Sequence, residues 1–228
     1  MPLTTLLLDA GNTLVFLDMR AVADVAAECG VEVDAGELAR VEGDAKRHYE
    51  SLLTDGASHE TGWRLYLRTL LVESGVAPDV APSLIDPLRA AHDQLNLWRR
   101  VPEDLMEALA AAREIGFRLG VVSNSEGKLV ELFEHVGLDG QFECIVDSAH
   151  EGIRKPDPAI FLRACERMGI APQQALYAGD LPEVDVRGAL GAGLQAALID
   201  PFGFYPAHDA SARYASVHEL VEALRRAR

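Results

Sequence analysis

Lysine is nearly missing from this chain of 228 residues: Lys46, Lys128 and Lys155 are the only ones. Chemistry that needs an ammonium therefore has three candidates. Positive charge is scarce in general, with 21 Lys and Arg against 36 Asp and Glu and a formal net charge of −15. The basic residues form no long run apart from the C-terminal LRRAR. Such a surface repels phosphate backbones, so nucleic acid is not an expected partner. Long apolar runs are lacking too: nothing approaches the roughly 18 unbroken apolar residues needed to cross a bilayer. No membrane role is expected. The N-terminal MPLTTLLLDAG has no basic region before its apolar residues, and Asp9 interrupts the run too early for a signal peptide, so a cytoplasmic location is expected. Cysteine is limited to Cys29, Cys144 and Cys165, an odd number without CxxC spacing. That pattern points to neither a disulfide framework nor a zinc cluster, but to reduced thiols.

Apolar residues make up 49% of the chain, enough to bury one large core with room for an insertion. TTLLLD, residues 4–9, reads as a buried strand closed by the turn formers Gly11 and Asn12. From about Met19 to Trp98 the periodicity is helical, in segments such as MRAVADVAAECG, ELARVEGDAKRHYESLL, ETGWRLYLRTLLVESG and APSLIDPLRAAHDQLNLW. That block holds no convincing strand. From Val101 onward strand and helix alternate through FRLGVVS, FECIV, ALYAGD and LQAALID, with PEVDVRGALGAG read as one of the helices. Alternation of this kind implies βαβ units and a parallel sheet covered on both faces. The expected fold is α/β, a Rossmann-like core with a parallel sheet flanked by helices and an inserted all-helical domain. The expected boundaries are residues 1–16 and 99–228 for the core and 17–98 for the insertion.

Ligands of open parallel sheets bind beyond the carboxyl ends of the strands. Those ends carry Asp9, Ser123 with Asn124, Asp147 with Ser148, and Gly179 with Asp180, while Lys155 lies in the loop EGIRKPDP. A single strand-end Asp is most simply a turn or helix cap. Asp9 and Asp180 on neighbouring strands, however, would repel each other unless a cation or an ammonium lay between them. A hard divalent ion with oxygen ligands, Mg²⁺ foremost, fits that need.

LLLDAGNTL, VVSNS, RKPDPAIF and GDLPEVDVRGALGAG, in this order, resemble the four motifs of the haloacid dehalogenase-like (HAD) hydrolase superfamily. The helical block after the first strand resembles that superfamily's helical cap domain. The resemblance implies that Asp9 is the nucleophile, forming an aspartyl phosphate that water then hydrolyses. It implies Mg²⁺ held by Asp9, Asp180 and the backbone carbonyl of Gly11, with Asp185 and Thr13 behind the ligands. Ser123 and Asn124 would meet the phosphoryl oxygens, and Lys155 would neutralise the nucleophile and the transferring group. Catalysis would rest on Asp9, Ser123 and Lys155. Glycines 188, 191 and 193 fit helix packing and termination better than ligand binding.

One position departs from the pattern. Phosphatases of the superfamily usually carry a second Asp two residues after the nucleophile, as acid and base, and here Gly11 stands there. Glycine cannot transfer a proton, and such a group typically contributes about 10²–10⁴-fold. Glu126, His150 and His48 are conceivable stand-ins, each more simply a solvated surface residue. The leading expectation is a Mg²⁺-dependent phosphatase or phosphotransfer enzyme for a small phosphorylated metabolite, as a monomer or homodimer. The alternatives are hydrolysis of a carbon–halogen or carbon–phosphorus bond, or a weakened phosphate-binding protein. Arg40 as a carboxylate binder and Lys46 as a Schiff-base lysine would serve those alternatives, although both read more simply as exposed helix charges. Trp63, Tyr66 and Trp98 are read first as helix packing.

Overall fold

The computed structural model describes residues 1–54, 59–205 and 212–227, excluding the side chains of 50–54 and 59. In chain order, β1 (Thr5–Leu8) and β2 (Phe16–Leu17) precede the helices α1 (Met19–Glu28), α2 (Ala35–Thr54), α3 (His59–Glu73) and α4 (Pro82–Gln94). After β3 (Trp98–Arg100) come α5 (Leu105–Glu114), β4 (Arg118–Ser123), α6 (Leu129–Val136), β5 (Cys144–Asp147), α7 (Ser148–Glu151) and α8 (Pro158–Met168). Then follow β6 (Ala175–Gly179), α9 (Arg187–Gly191), β7 (Gln195–Ile199), β8 (Ala212–Tyr214) and α10 (Val217–Arg226). The chain divides into two compact units, Met1–Phe16 with Arg99–Arg228, and Leu17–Trp98.

In the first unit, six strands form a parallel sheet in the order β5-β4-β1-β6-β7-β8. β1 is central and every residue of it is buried, which is why it reads as an unbroken apolar run rather than an alternating one. Its neighbours are β4 on one side and β6 on the other, so the strand order reverses about β1. A reversal of this kind opens a crevice at the carboxyl ends of the strands, here just beyond Leu8, Ser123 and Gly179. One layer of the core packs Leu7, Val122, Val146 and Tyr177 of the sheet against Ile160, Phe161, Ala164 and Cys165 of α8. Helix termini follow sequence chemistry. Asp157 caps α8 through the Ala159 N–H at 2.9 Å, with Pro158 in the first turn. Ser216 caps α10 through Glu219 N–H, and the Glu219 carboxylate accepts from Ala215 N–H in return.

The second unit is helical. Buried residues recur at helical spacing, as in Leu38, Val41 and Ala45 of α2 and Trp63, Tyr66, Leu67, Leu70 and Leu71 of α3, and they form one core with α1 and α4. Trp63 and Tyr66 belong to that core and Trp98 packs against it.

Three local features differ from the sequence reading. PEVDVRGALGAG is not one helix: Pro182–Val186 forms a single π-type turn before α9, and the wider turn tucks Asp185 inward to complete burial. β2 and β3 pair with each other at the two ends of the helical block, too short for periodicity to reveal. Lys46 is not a solvated charge; it is 3% exposed, as is Glu42 one turn earlier on α2, where the Tyr66 hydroxyl lies 3.4 Å from Glu42 Oε1.

Candidate active site

The peptide N–H of Asp9 bonds to Ala178 O at 2.9 Å, extending the β1–β6 ladder by one step and fixing where the carboxylate leaves the sheet. The chain then turns sharply. Val15, Leu14 and Thr13 N–H groups converge on Ala10 O, and Asn12 takes φ +52°, a left-handed conformation that Asn tolerates better than most residues. This turn sends the Asn12 amide to Asp180 Oδ2 at 3.2 Å, tying the loop after β1 to the loop after β6.

Lys155 reaches the same place from 146 residues away. Its Nζ lies 2.6 Å from Asp9 Oδ1, 2.7 Å from Asp185 Oδ1 and 2.9 Å from the Tyr177 hydroxyl. An ammonium has three donors and no acceptor, so these contacts use its whole capacity. Asp185 is engaged at both oxygens: Oδ1 by Lys155 and Tyr177, Oδ2 by Leu181 N–H at 2.9 Å. Tyr177, a core aromatic by its strand context, also lies 3.0 Å from Val122 O.

Asp9, Asp180 and Asp185 are all buried, and each offers a carboxylate oxygen within 4.8 Å of the others. Charges that close repel by roughly 3 kcal/mol or more at an effective dielectric of about 20. Lys155 offsets one of the three. Burial, above all, raises the Asp9 carboxyl to about 7; Lys155 pulls it down, and Asp185 and Asp180 push it further up. Burial likewise pulls the Lys155 ammonium down, but Asp185 and Asp9 more than reverse this and leave it above its ordinary value. Burial and the neighbouring carboxylates push the Tyr177 phenol well up, so it stays protonated.

The donor set fits a hard divalent cation. Asp9 and Asp180 supply charged oxygens, and Asn12 Oδ1 and Thr13 Oγ1, on the same turn, are buried without a hydrogen-bond partner among the described residues. A cation with its water shell would meet both needs.

Other residues singled out by sequence fall into place around this centre or outside it. Ser123 ends β4 in the crevice and is buried. Asn124 engages both ends of its amide with the Lys155 backbone: Nδ2 donates to Lys155 O at 3.0 Å, and Oδ1 accepts from Lys155 N–H at 2.8 Å. These two bonds fix the Lys155 main chain at the edge of the crevice. Asp147 Oδ1 accepts from Gly127 N–H and from Ala149 N–H at the start of α7, which is a capping role. Glu126, His150 and His48 are exposed, and Arg40 is exposed and paired with Glu37. Gly188 serves packing, since a Cβ there would lie 2.8 Å from the Phe161 ring.

Gly179 is demanded by the site itself. A Cβ there would lie 2.5 Å from Asp185 Cγ, a carboxylate that Lys155, Tyr177 and Leu181 hold in place. Gly179→Ala is therefore expected to displace Asp185 and reduce turnover by about 10²-fold or more. Steady-state rates beside a near-UV spectrum of the folded variant check this, and an Ala variant with unchanged rate would show that Asp185 can move without consequence.

A parallel sheet reversing about a central strand, with a carboxylate at that strand's end facing an ammonium and two further carboxylates, is a Rossmann-like α/β fold with a polar site at its switch point. The model for haloacid dehalogenase-like hydrolases matches residues 3–193, and the chain belongs to that family. Glyceraldehyde 3-phosphate phosphatase of Methanopyrus kandleri is 32% identical over 172 residues, covering 73% of this chain and 68% of that protein. Phosphoserine phosphatase of Thermus thermophilus is 37% identical over 135 residues, 58% of this chain and 52% of that one. Among solved structures, the HAD-hydrolase YfnB from Bacillus subtilis, bound to magnesium, superposes with a TM-score of 0.74 at 19% identity over 98% of this chain and 99% of that one. A 2-haloacid dehalogenase from Pseudomonas syringae gives 0.59 at 26% identity over 99% and 100%.

Proposed function

We propose that the protein is a Mg²⁺-dependent phosphatase of small phosphorylated metabolites that works through an aspartyl phosphate on Asp9. The observation that carries this reading is the Lys155 ammonium bonded to Asp9 and Asp185 together, with Asp180 close by. In the first step an Asp9 oxygen forms a bond to phosphorus as the bond to the leaving oxygen breaks. In the second, water attacks the aspartyl phosphate, releasing inorganic phosphate and restoring the Asp9 carboxylate. Mg²⁺ would be held by Asp9, Asp180 and the Gly11 carbonyl, and would supply positive charge against the phosphoryl oxygens. Ser123, buried at the end of β4, would donate to a phosphoryl oxygen, and Lys155 would balance charge on the nucleophile as the bond forms. Asp185 orients Lys155, and Thr13 stands behind the ligands. The helical unit, residues 17–98, serves as the cap that selects the substrate. The phosphatase names of the two curated relatives support the reaction class.

Those relatives' substrates are alkyl monoesters, whose leaving alkoxide needs a proton, and Gly11 cannot give one. The reading therefore favours a leaving group that departs unprotonated, as in an acyl phosphate. Phosphate release from acetyl phosphate is expected to exceed release from phosphoserine by about 10²-fold, with both requiring Mg²⁺. Gly11 is not among the glycines with positive φ, so an Asp is compatible with its backbone. Gly11→Asp is expected to narrow the gap by raising the phosphoserine rate about tenfold or more. Equal wild-type rates on the two substrates would mean that another group donates the proton, and no release from either would sink the phosphatase reading. The likeness to a 2-haloacid dehalogenase favours the carbon–halogen alternative, although Gly11 stands where such enzymes usually carry an aromatic residue. Against it stand the packed carboxylates of Asp9, Asp180 and Asp185, a charge density that a halide-displacing site does not need.

A further inference from the structure

We propose that Tyr177 is a positioning residue for the Lys155 ammonium, holding it in line between Asp9 and Asp185. The inference rests on the reading of Lys155 as a group that acts on the phosphoryl transfer.

The argument begins with donor and acceptor counts. The Lys155 Nζ has three hydrogens and three acceptors in contact: Asp9 Oδ1, Asp185 Oδ1 and the Tyr177 oxygen. Two of these are charges that pull the ammonium in different directions. One of them, Asp9, also loses its carboxylate charge, and with it much of its pull on the ammonium, as it bonds to phosphorus. A flexible four-carbon stem does not by itself keep an ammonium in one place during that change. The Tyr177 oxygen is the neutral third point.

That point is rigid. Tyr177 lies within β6, is fully buried, and its ring meets Phe161 edge to face at 4.9 Å. Its one hydroxyl hydrogen has two acceptors, Val122 O at 3.0 Å and Asp185 Oδ1 at 2.9 Å. Donation to Val122 O leaves the hydroxyl lone pairs to accept from Lys155. Asn124 does the same for the lysine main chain through its two bonds to Lys155. The lysine is thus fixed at both ends, by Asn124 at the backbone and by Tyr177 at the ammonium. A purely structural tyrosine would need the ring and one backbone acceptor, not a contact with the catalytic cation.

The test is a double-mutant cycle of Tyr177→Phe and Lys155→Met, assayed with p-nitrophenyl phosphate and Mg²⁺. Tyr177→Phe keeps the ring and removes the oxygen. It is expected to lower kcat about tenfold or more with KM changed less than about threefold, because the loss falls on the transition state. In the Lys155→Met background the same substitution is expected to change kcat by less than about twofold. Orthovanadate affinity by calorimetry gives the same cycle where turnover is too slow to measure. A folded Tyr177→Phe enzyme with undiminished kcat overturns the inference and leaves the phosphatase reading standing. Equal losses in both backgrounds also overturn it, since the hydroxyl would then act independently of the ammonium. Lys155→Met with wild-type kcat overturns the role of Lys155 and the inference with it. Should the Phe variant not fold, Tyr177→Met, which fills similar space without a hydroxyl, is expected to give the same pattern.

Discussion

Asp9→Asn is expected to abolish turnover and, in the absence of a divalent cation, to raise the melting temperature. The first effect follows from the proposed chemistry: an amide is a poor nucleophile, and replacing the group that forms the covalent bond costs on the order of 10⁴–10⁶-fold in kcat. The second follows from electrostatics. The Asp9 carboxyl is raised to about 7 by burial first, with Asp185 and Asp180 adding to it against the opposing pull of Lys155. A folded-state value above the ordinary carboxylate value of 3.8 means that the folded chain holds this proton more tightly than the unfolded one. The stability that comes with it is present at low pH and is lost as pH rises from about 4 through about 7. Asn carries no charge, so the variant lacks this slope. Thermal melts of wild type and Asp9→Asn in chelator, at pH 5 and pH 8, are expected to diverge by several degrees more at pH 8. Lost turnover with a gain in stability marks a residue kept for chemistry at a structural cost. Lost turnover with a fall in stability at both pH values would instead make Asp9 a structural partner of Lys155.

Much of this centre was legible because strand chemistry is short-range. An unbroken apolar run ending in Asp, Ser or Gly-Asp marks the carboxyl end of a buried parallel strand. The rule that ligands gather at such ends then brings Asp9, Ser123 and Asp180 to one edge. Lys155 stood out because lysine is so rare in the chain. The remainder depends on contacts that periodicity does not encode. Tyr177 in ALYAGD reads as one more buried aromatic, because nothing local tells that its hydroxyl meets a lysine 22 residues earlier. Asn124 sits at a strand end like a ligand binder, yet its amide matches the Lys155 peptide across the crevice. Asp147 shows the reverse: the same position at a strand end, with the simple capping role. Lys46 reads as a surface charge by its flanking residues Ala45 and Arg47, and its burial beside Glu42 depends on how α2 meets its neighbours. The strands β2, β3 and β8 are two or three residues long, below the length at which alternation can be told from chance.

Mg²⁺ binding is expected to tighten with pH and to expel a proton, and this follows from the same Asp9 carboxyl. A carboxylate must be ionised to ligate a cation, so below about pH 7 the cation competes with a proton at Asp9. Apparent affinity then rises about tenfold per pH unit up to about pH 7 and levels off above it. Calorimetric titration with MgCl₂ in buffers of different ionisation enthalpy reads the proton directly: close to one released at pH 6, less than about a fifth of one at pH 8. Asp180→Asn separates this from general charge attraction. That variant loses a proposed ligand and is expected to bind Mg²⁺ about 10–100-fold more weakly, while still releasing the proton, because burial and Asp185 continue to hold Asp9 up. Asp9→Asn should bind weakly with no proton released at any pH. Heat that is independent of buffer at pH 6 in the wild type would mean that Asp9 is already ionised without the cation. Lys155, rather than burial, would then dominate the electrostatics of the site, and the ammonium alone would suffice to hold the carboxylates together.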